Sequence, residues 1–153
     1  MIKITLRFLA YFLVTVIMGC SVTHTVHTKS TQSLTKELKQ ISKTIENVKF
    51  TFTRPDLFIE INLKEVPSNE ILDSILLQVK AFTTIDNMNE IAKSVKWGLE
   101  VSEIHLIVTS DTGDQPEKHA YFARYFKTSD ASDKSQENMD AYQTWFKEEL
   151  KNP

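Results

Sequence analysis

Leu57, Ile59, Ile61 and Leu63 alternate with Phe58, Glu60 and Asn62, and further on Ile104, Leu106 and Val108 alternate with His105, Ile107 and Thr109. A period of two places every second side chain on the same face of a strand, so each run reads as a strand with one buried side. Each also has a neighbour to pair with. Phe50 and Phe52 alternate with Lys49, Thr51 and Thr53 before the turn sequence Arg54-Pro55-Asp56, and residues 118–127, rich in Tyr and Phe, follow the polar loop 110–117. Two β-hairpins are expected. If Thr109 faces Lys118, the register sets His105 opposite Phe122 and His119 opposite Val108, with the two imidazoles on opposite faces of the pair.

Helical spacing fills the intervals. Leu34, Leu38, Ile41, Ile45 and Val48 recur every three or four residues; Ile71, Leu72, Ile75, Leu76, Val79 and Phe82 form a second stripe behind Pro67 and the N-cap candidate Ser68. Asn87 and Glu90 have the spacing of a capping box for a short third helix with Met88, Ile91 and Val95, stopping at Gly98. Met139, Tyr142, Trp145 or Phe146, and Leu150 give a closing helix. The element order α-ββ-αα-ββ-α predicts a two-layer α+β domain. In it, two hairpins form a four-stranded antiparallel sheet with the helices mainly on one face. At 153 residues the chain has room for one such domain, expected over residues 34–153.

The N-terminus reads as an address. Lys3 and Arg7 precede an apolar run from Phe8 to Met18, which closes on Ile17-Met18-Gly19-Cys20-Ser21. This is the layout of a secretory signal, and the run falls short of the roughly 20 apolar residues of a membrane-spanning helix. Its end resembles the lipobox of bacterial lipoproteins, to which Ile17, Gly19 and Cys20 conform; Met18 is less usual. The resemblance implies a signal peptide over residues 1–19 and lipidation of Cys20 by a diacylglyceryl thioether and an N-acyl chain such as palmitate. It also implies anchoring to a membrane on the extracytoplasmic side of the cell envelope. Ser21 is not the Asp that retains such proteins at the inner membrane, so in a Gram-negative envelope the family rule points to the outer membrane. Residues 20–33, polar and aperiodic after the cysteine, read as a flexible tether that would hold the domain roughly 20 Å off the bilayer.

Several chemistries find no residues to run on. The three glycines, Gly19, Gly98 and Gly113, are too far apart for a phosphate-cradling loop. Cys20 is the only cysteine, so no disulfide can form within the chain. When Lys3 and Arg7 leave with the signal, the 18 basic residues fall to 16 against 20 acidic, which argues against nucleic acid as a partner. Asp111-Thr112-Gly113 after an apolar strand resembles the active-site loop of aspartic proteases, but Asp114 stands where that family has a small residue and no glycine follows. A hairpin turn explains the same residues. Asp111, Asp114 and Glu117 lack the EF-hand spacing, and His24 with His27 lies in the expected tether, so no metal and no cofactor is assigned. Glu148 and Glu149 read as a solvated helix face.

Aromatic residues stand out instead: Tyr121, Phe122, Tyr125 and Phe126 on one strand, and Trp145 and Phe146 near the end. Interface energy concentrates in Tyr, Trp and Arg, so Tyr121, Arg124, Tyr125 and Trp145 are the candidate partner-binding residues. The expected function is a membrane-anchored, non-catalytic binding module engaging an envelope protein. The alternatives are a small hydrolase or ligand-binding domain, or an immunity or exclusion lipoprotein.

Overall fold

A computed structural model describes residues 22–111 and 116–149. The signal sequence, Cys20 and Thr112 to Gln115 lie outside the described residues. Among the described residues nine elements follow one another: β1 (Thr23–Thr25), α1 (Lys29–Ile41), β2 (Ile45–Thr53), β3 (Asp56–Leu63), α2 (Asn69–Phe82), α3 (Ile85–Ser94), β4 (Glu103–Ser110), β5 (Glu117–Arg124) and β6 (Trp145–Glu148). The strands form one six-stranded sheet in sequence order, antiparallel throughout except where β3 runs parallel to β4.

Both hairpins are present. Val48, Phe50 and Phe52 of β2 pair with Ile61, Ile59 and Leu57 of β3. In the second hairpin Thr109 faces Lys118, His105 faces Phe122 and Val108 faces His119. The crossover between the hairpins contains α2 and α3, and a helical crossover is what brings two neighbouring strands into parallel register. The apolar positions of each strand then align into rows. Phe52, Leu57, Ile104 and Ala123 form one row, and Phe50, Ile59 and Leu106 the next, all buried. Against them pack Leu34 and Leu38 of α1, Leu72, Ile75 and Val79 of α2, and Met88 and Ile91 of α3.

The helices start where side chains can satisfy their first amides. Thr28 and Thr31 form a reciprocal cap on α1: the Thr31 amide donates to Thr28 Oγ1 at 3.2 Å, and the Thr28 amide to Thr31 Oγ1 at 2.9 Å. Ser68 caps α2 and Thr84 caps α3.

The expected four-stranded antiparallel sheet and its flanking elements are corrected on four points. Residues 22–33, read as tether, contain β1 and the start of α1: Thr23 pairs with Thr53 and Thr25 with Thr51. The first helix ends at Ile41, because the Ser42 hydroxyl takes up the Thr44 amide at 3.1 Å and turns the chain, so Ile45 and Val48 belong to a strand. The closing helix does not form. Asp140 accepts from the Thr144 amide at 2.8 Å and hydroxyl at 2.7 Å, Ala141 and Tyr142 take positive φ, and residues 145–148 return as β6 beside β5. The sheet is mixed because the hairpins meet through β3 and β4.

Candidate functional site

All three helices pack on one face of the sheet, and the other face carries a row of rings. Alternation carries Thr51, Phe58, His105, Phe122 and Phe146 to the same level of neighbouring strands. Phe58 stacks on His105 with centroids 4.7 Å apart and planes 10° from parallel; His105 lies 6.4 Å from Phe122, and Phe122 stacks on Phe146 at 5.2 Å. The row crosses three strand spacings, roughly 15 Å. Phe58, His105 and Phe122 are half-buried by one another, and Phe146 at the sheet edge is 46% exposed.

Charge holds one side of the row. Arg124 lies over the Phe122 ring, 5.0 Å from its centroid, and its Nε donates to Glu103 Oε1 at 2.9 Å. The other oxygen of Glu103 is 3.3 Å from His105 Nε2. One carboxylate thus fixes both the guanidinium and the imidazole. Asp56, at the start of β3, accepts from the Glu103 amide at 3.2 Å. Burial first, and the nearby Glu103 charge second, hold the Asp56 carboxyl above its ordinary value, against the opposing effects of His105 and that hydrogen bond. Toward the other strand ends, Ile107 and Ala120 occupy the next level, with Lys49 and Glu60 paired at 3.2 Å. Beside Phe146 a pocket of about 180 Å³ opens between Arg124, Phe126, Asp140 and Thr144.

The four residues named from sequence do not share one surface. Arg124 stands on the ring-bearing face. Tyr121 shares a level with Leu106, and Trp145 with Ala123, on the helix side of the sheet, where both pack against the core. Burial and the Asp73 charge raise the Tyr121 phenol. Tyr125 lies past the end of β5, edge-on to Phe126 and Tyr142, and also packs against the core. Phe58, His105, Phe122 and Phe146 were missed, although part of the signal was in the pattern: Phe58 and His105 occupy solvent-side positions of their alternating runs.

His119 points to the helix side, 3.1 Å from Glu117. His24 and His105 sit on β1 and β4, three strands apart in the sheet order. Among the described residues no cluster of three metal-ligating side chains occurs. Asp111 is described, whereas the remainder of its Asp-Thr-Gly sequence lies outside the described residues. The arrangement offers flat π faces, a guanidinium and half-buried carboxylates, which suits stacking and apolar packing. No family model, curated protein or solved structure matches the chain.

Proposed function

We propose that the chain is an envelope lipoprotein, exported by residues 1–19 and acylated on Cys20, whose domain binds an envelope protein through the open face of its sheet. The observation that carries this proposal is the row Phe58, His105, Phe122 and Phe146 with Arg124 beside it. Stacked rings on a sheet face that none of the described helices covers are a binding surface already ordered before a partner arrives, which lowers the entropic cost of association. Arg124 is one of the residue types in which interface energy concentrates, and phenylalanine rings are enriched at the centres of interfaces. The acidic balance of the mature chain disfavours polyanionic ligands.

Two measurements test it. The mass of the protein extracted from membranes should show Cys20 as an acylated first residue, and Cys20→Ala should release the domain from the membrane. Co-isolation from detergent-solubilised membranes should recover a partner with the parent protein and lose it with Phe122→Ala combined with Phe146→Ala. Retention of the partner by a folded double variant would refute the assignment of the face.

A further inference from the structure

We infer that the end of the domain carrying Val22, the Arg54-Pro55 turn and the Trp97-Gly98-Leu99 loop lies directly on the lipid bilayer, with the strands rising away from it. This rests on the anchoring of Cys20 proposed above. Only Ser21 and Val22 separate Cys20 from Thr23, the first residue of β1. Three peptide steps reach at most about 11 Å, less than half the length of β3 at its rise of about 3.3 Å per residue. An acylated Cys20 therefore cannot leave this end of the sheet far from the membrane. Thr23 is fixed there by its pairing with Thr53 and by the 3.0 Å contact between their hydroxyls, next to Arg54.

The side chains at this end have the chemistry of a lipid–water boundary. Leu99 is 61% exposed and Val22 is also exposed. Trp97 is half-buried, tilted against Phe52 at 6.2 Å, with the Arg54 guanidinium 5.6 Å from its ring and its Nε1 donating to the Glu100 carbonyl at 3.2 Å. Trp at headgroup level, with apolar neighbours and cations able to meet lipid phosphates, is the pattern of interfacial anchoring. Arg54, Lys93 and Lys96 supply the cations, and Glu100, the acidic side chain in the loop, faces Lys134 at 3.7 Å. Between the turn and the loop a pocket of about 370 Å³ lies open, lined by Arg54, Pro55, Trp97 and Leu99. With this end down, the row of rings stands on a side wall of the domain, open to a partner diffusing in or above the same membrane.

The test uses the full chain, extracted from membranes and reconstituted into phosphatidylcholine–phosphatidylglycerol vesicles, with a single introduced thiol. Leu99→Cys probes the proposed contact. Val66→Cys, 51% exposed and just beyond the far end of β3, is the control. Each thiol carries an environment-sensitive fluorophore, and nitroxide-bearing lipids are the quencher. The expected result is about a twofold loss of emission at position 99 and none at 66, because a group at headgroup depth meets the quencher and one about 25 Å higher does not. Equal quenching at the two positions, or none at 99, with one label per chain by mass, overturns the orientation while leaving the anchor standing. A second label, on Cys20, means a free thiol there and overturns the anchoring together with the inference.

Discussion

Asn138 organises the long connection between β5 and β6, and its replacement should show how strongly that connection depends on one side chain. The residue is 4% exposed. Its Oδ1 accepts from the Thr128 amide at 3.0 Å and hydroxyl at 2.8 Å, and its Nδ2 donates to the carbonyls of Asp130 at 3.0 Å and Asp133 at 2.8 Å. Four bonds at a net of about 1 kcal/mol each set an upper figure of about 4 kcal/mol for Asn138→Ala. Thr128, Asp130 and Asp133 are exposed and can recover water, which brings the expectation down to about 2–3 kcal/mol. Asn138→Asp keeps the acceptor but sets a carboxylate against two carbonyls, so it should cost at least as much at neutral pH and less in acid. Urea unfolding supplies the free energies. Hydrogen exchange supplies the location, with protection lost first across residues 126–148, including β6 and Phe146. A loss below about 0.5 kcal/mol would refute the reasoning, as would weakened protection confined to β2 and β3.

Asp56→Asn should stabilise the fold at neutral pH. The raised carboxyl means that the folded state binds its proton more tightly, so stability falls as pH rises through that group's titration, and the gain from the amide should vanish in urea titrations below about pH 4. Tyr142 is buried, its hydroxyl donates to the Val101 carbonyl at 2.6 Å, and burial, followed by Tyr125 and Glu100, drives its phenol far above the ordinary range. Stability should therefore decline as pH rises beyond about 10, where the unfolded phenol ionises and the folded one does not. Tyr142→Phe should cost about 1–2 kcal/mol at neutral pH by orphaning the Val101 carbonyl, and should flatten the alkaline decline; an unchanged alkaline slope would contradict this.

Strand periodicity made both hairpins legible, down to the residue opposite His105. It could not show that β3 and β4 meet, because Leu57, Ile59, Ile61 and Leu63 look the same whether the next strand beside them is their hairpin partner or a parallel one. Helical periodicity overran at Ile45 and Val48, where spacings of three and four continue past the Ser42 turn. The cap at Thr28 escaped notice because its third helical residue is Thr31, which closes the reciprocal pair with a hydroxyl where Glu or Gln is the familiar sign. Met139, Tyr142 and Leu150 suggested a helix, yet Asn138 and Asp140 bind backbone groups locally and hold the chain in turns. The same gap hid most of the candidate site. Phe58 belongs to one hairpin, His105 and Phe122 to the other, and Phe146 to a strand that read as helix, so their alignment exists only once the parallel junction and β6 are in place.

The central claim, that the ring-bearing face meets an envelope protein, is tested most directly by photocrosslinking in living cells. The full-length chain would carry p-benzoylphenylalanine either at Phe146 or at Leu77, a 70% exposed position on α2. The predicted result is a discrete adduct from position 146, absent from position 77, that disappears when Phe58→Ala and Phe122→Ala are added to a chain that still folds and still reaches the membrane. An adduct from position 77 alone, or one from 146 that survives loss of both rings, would contradict it.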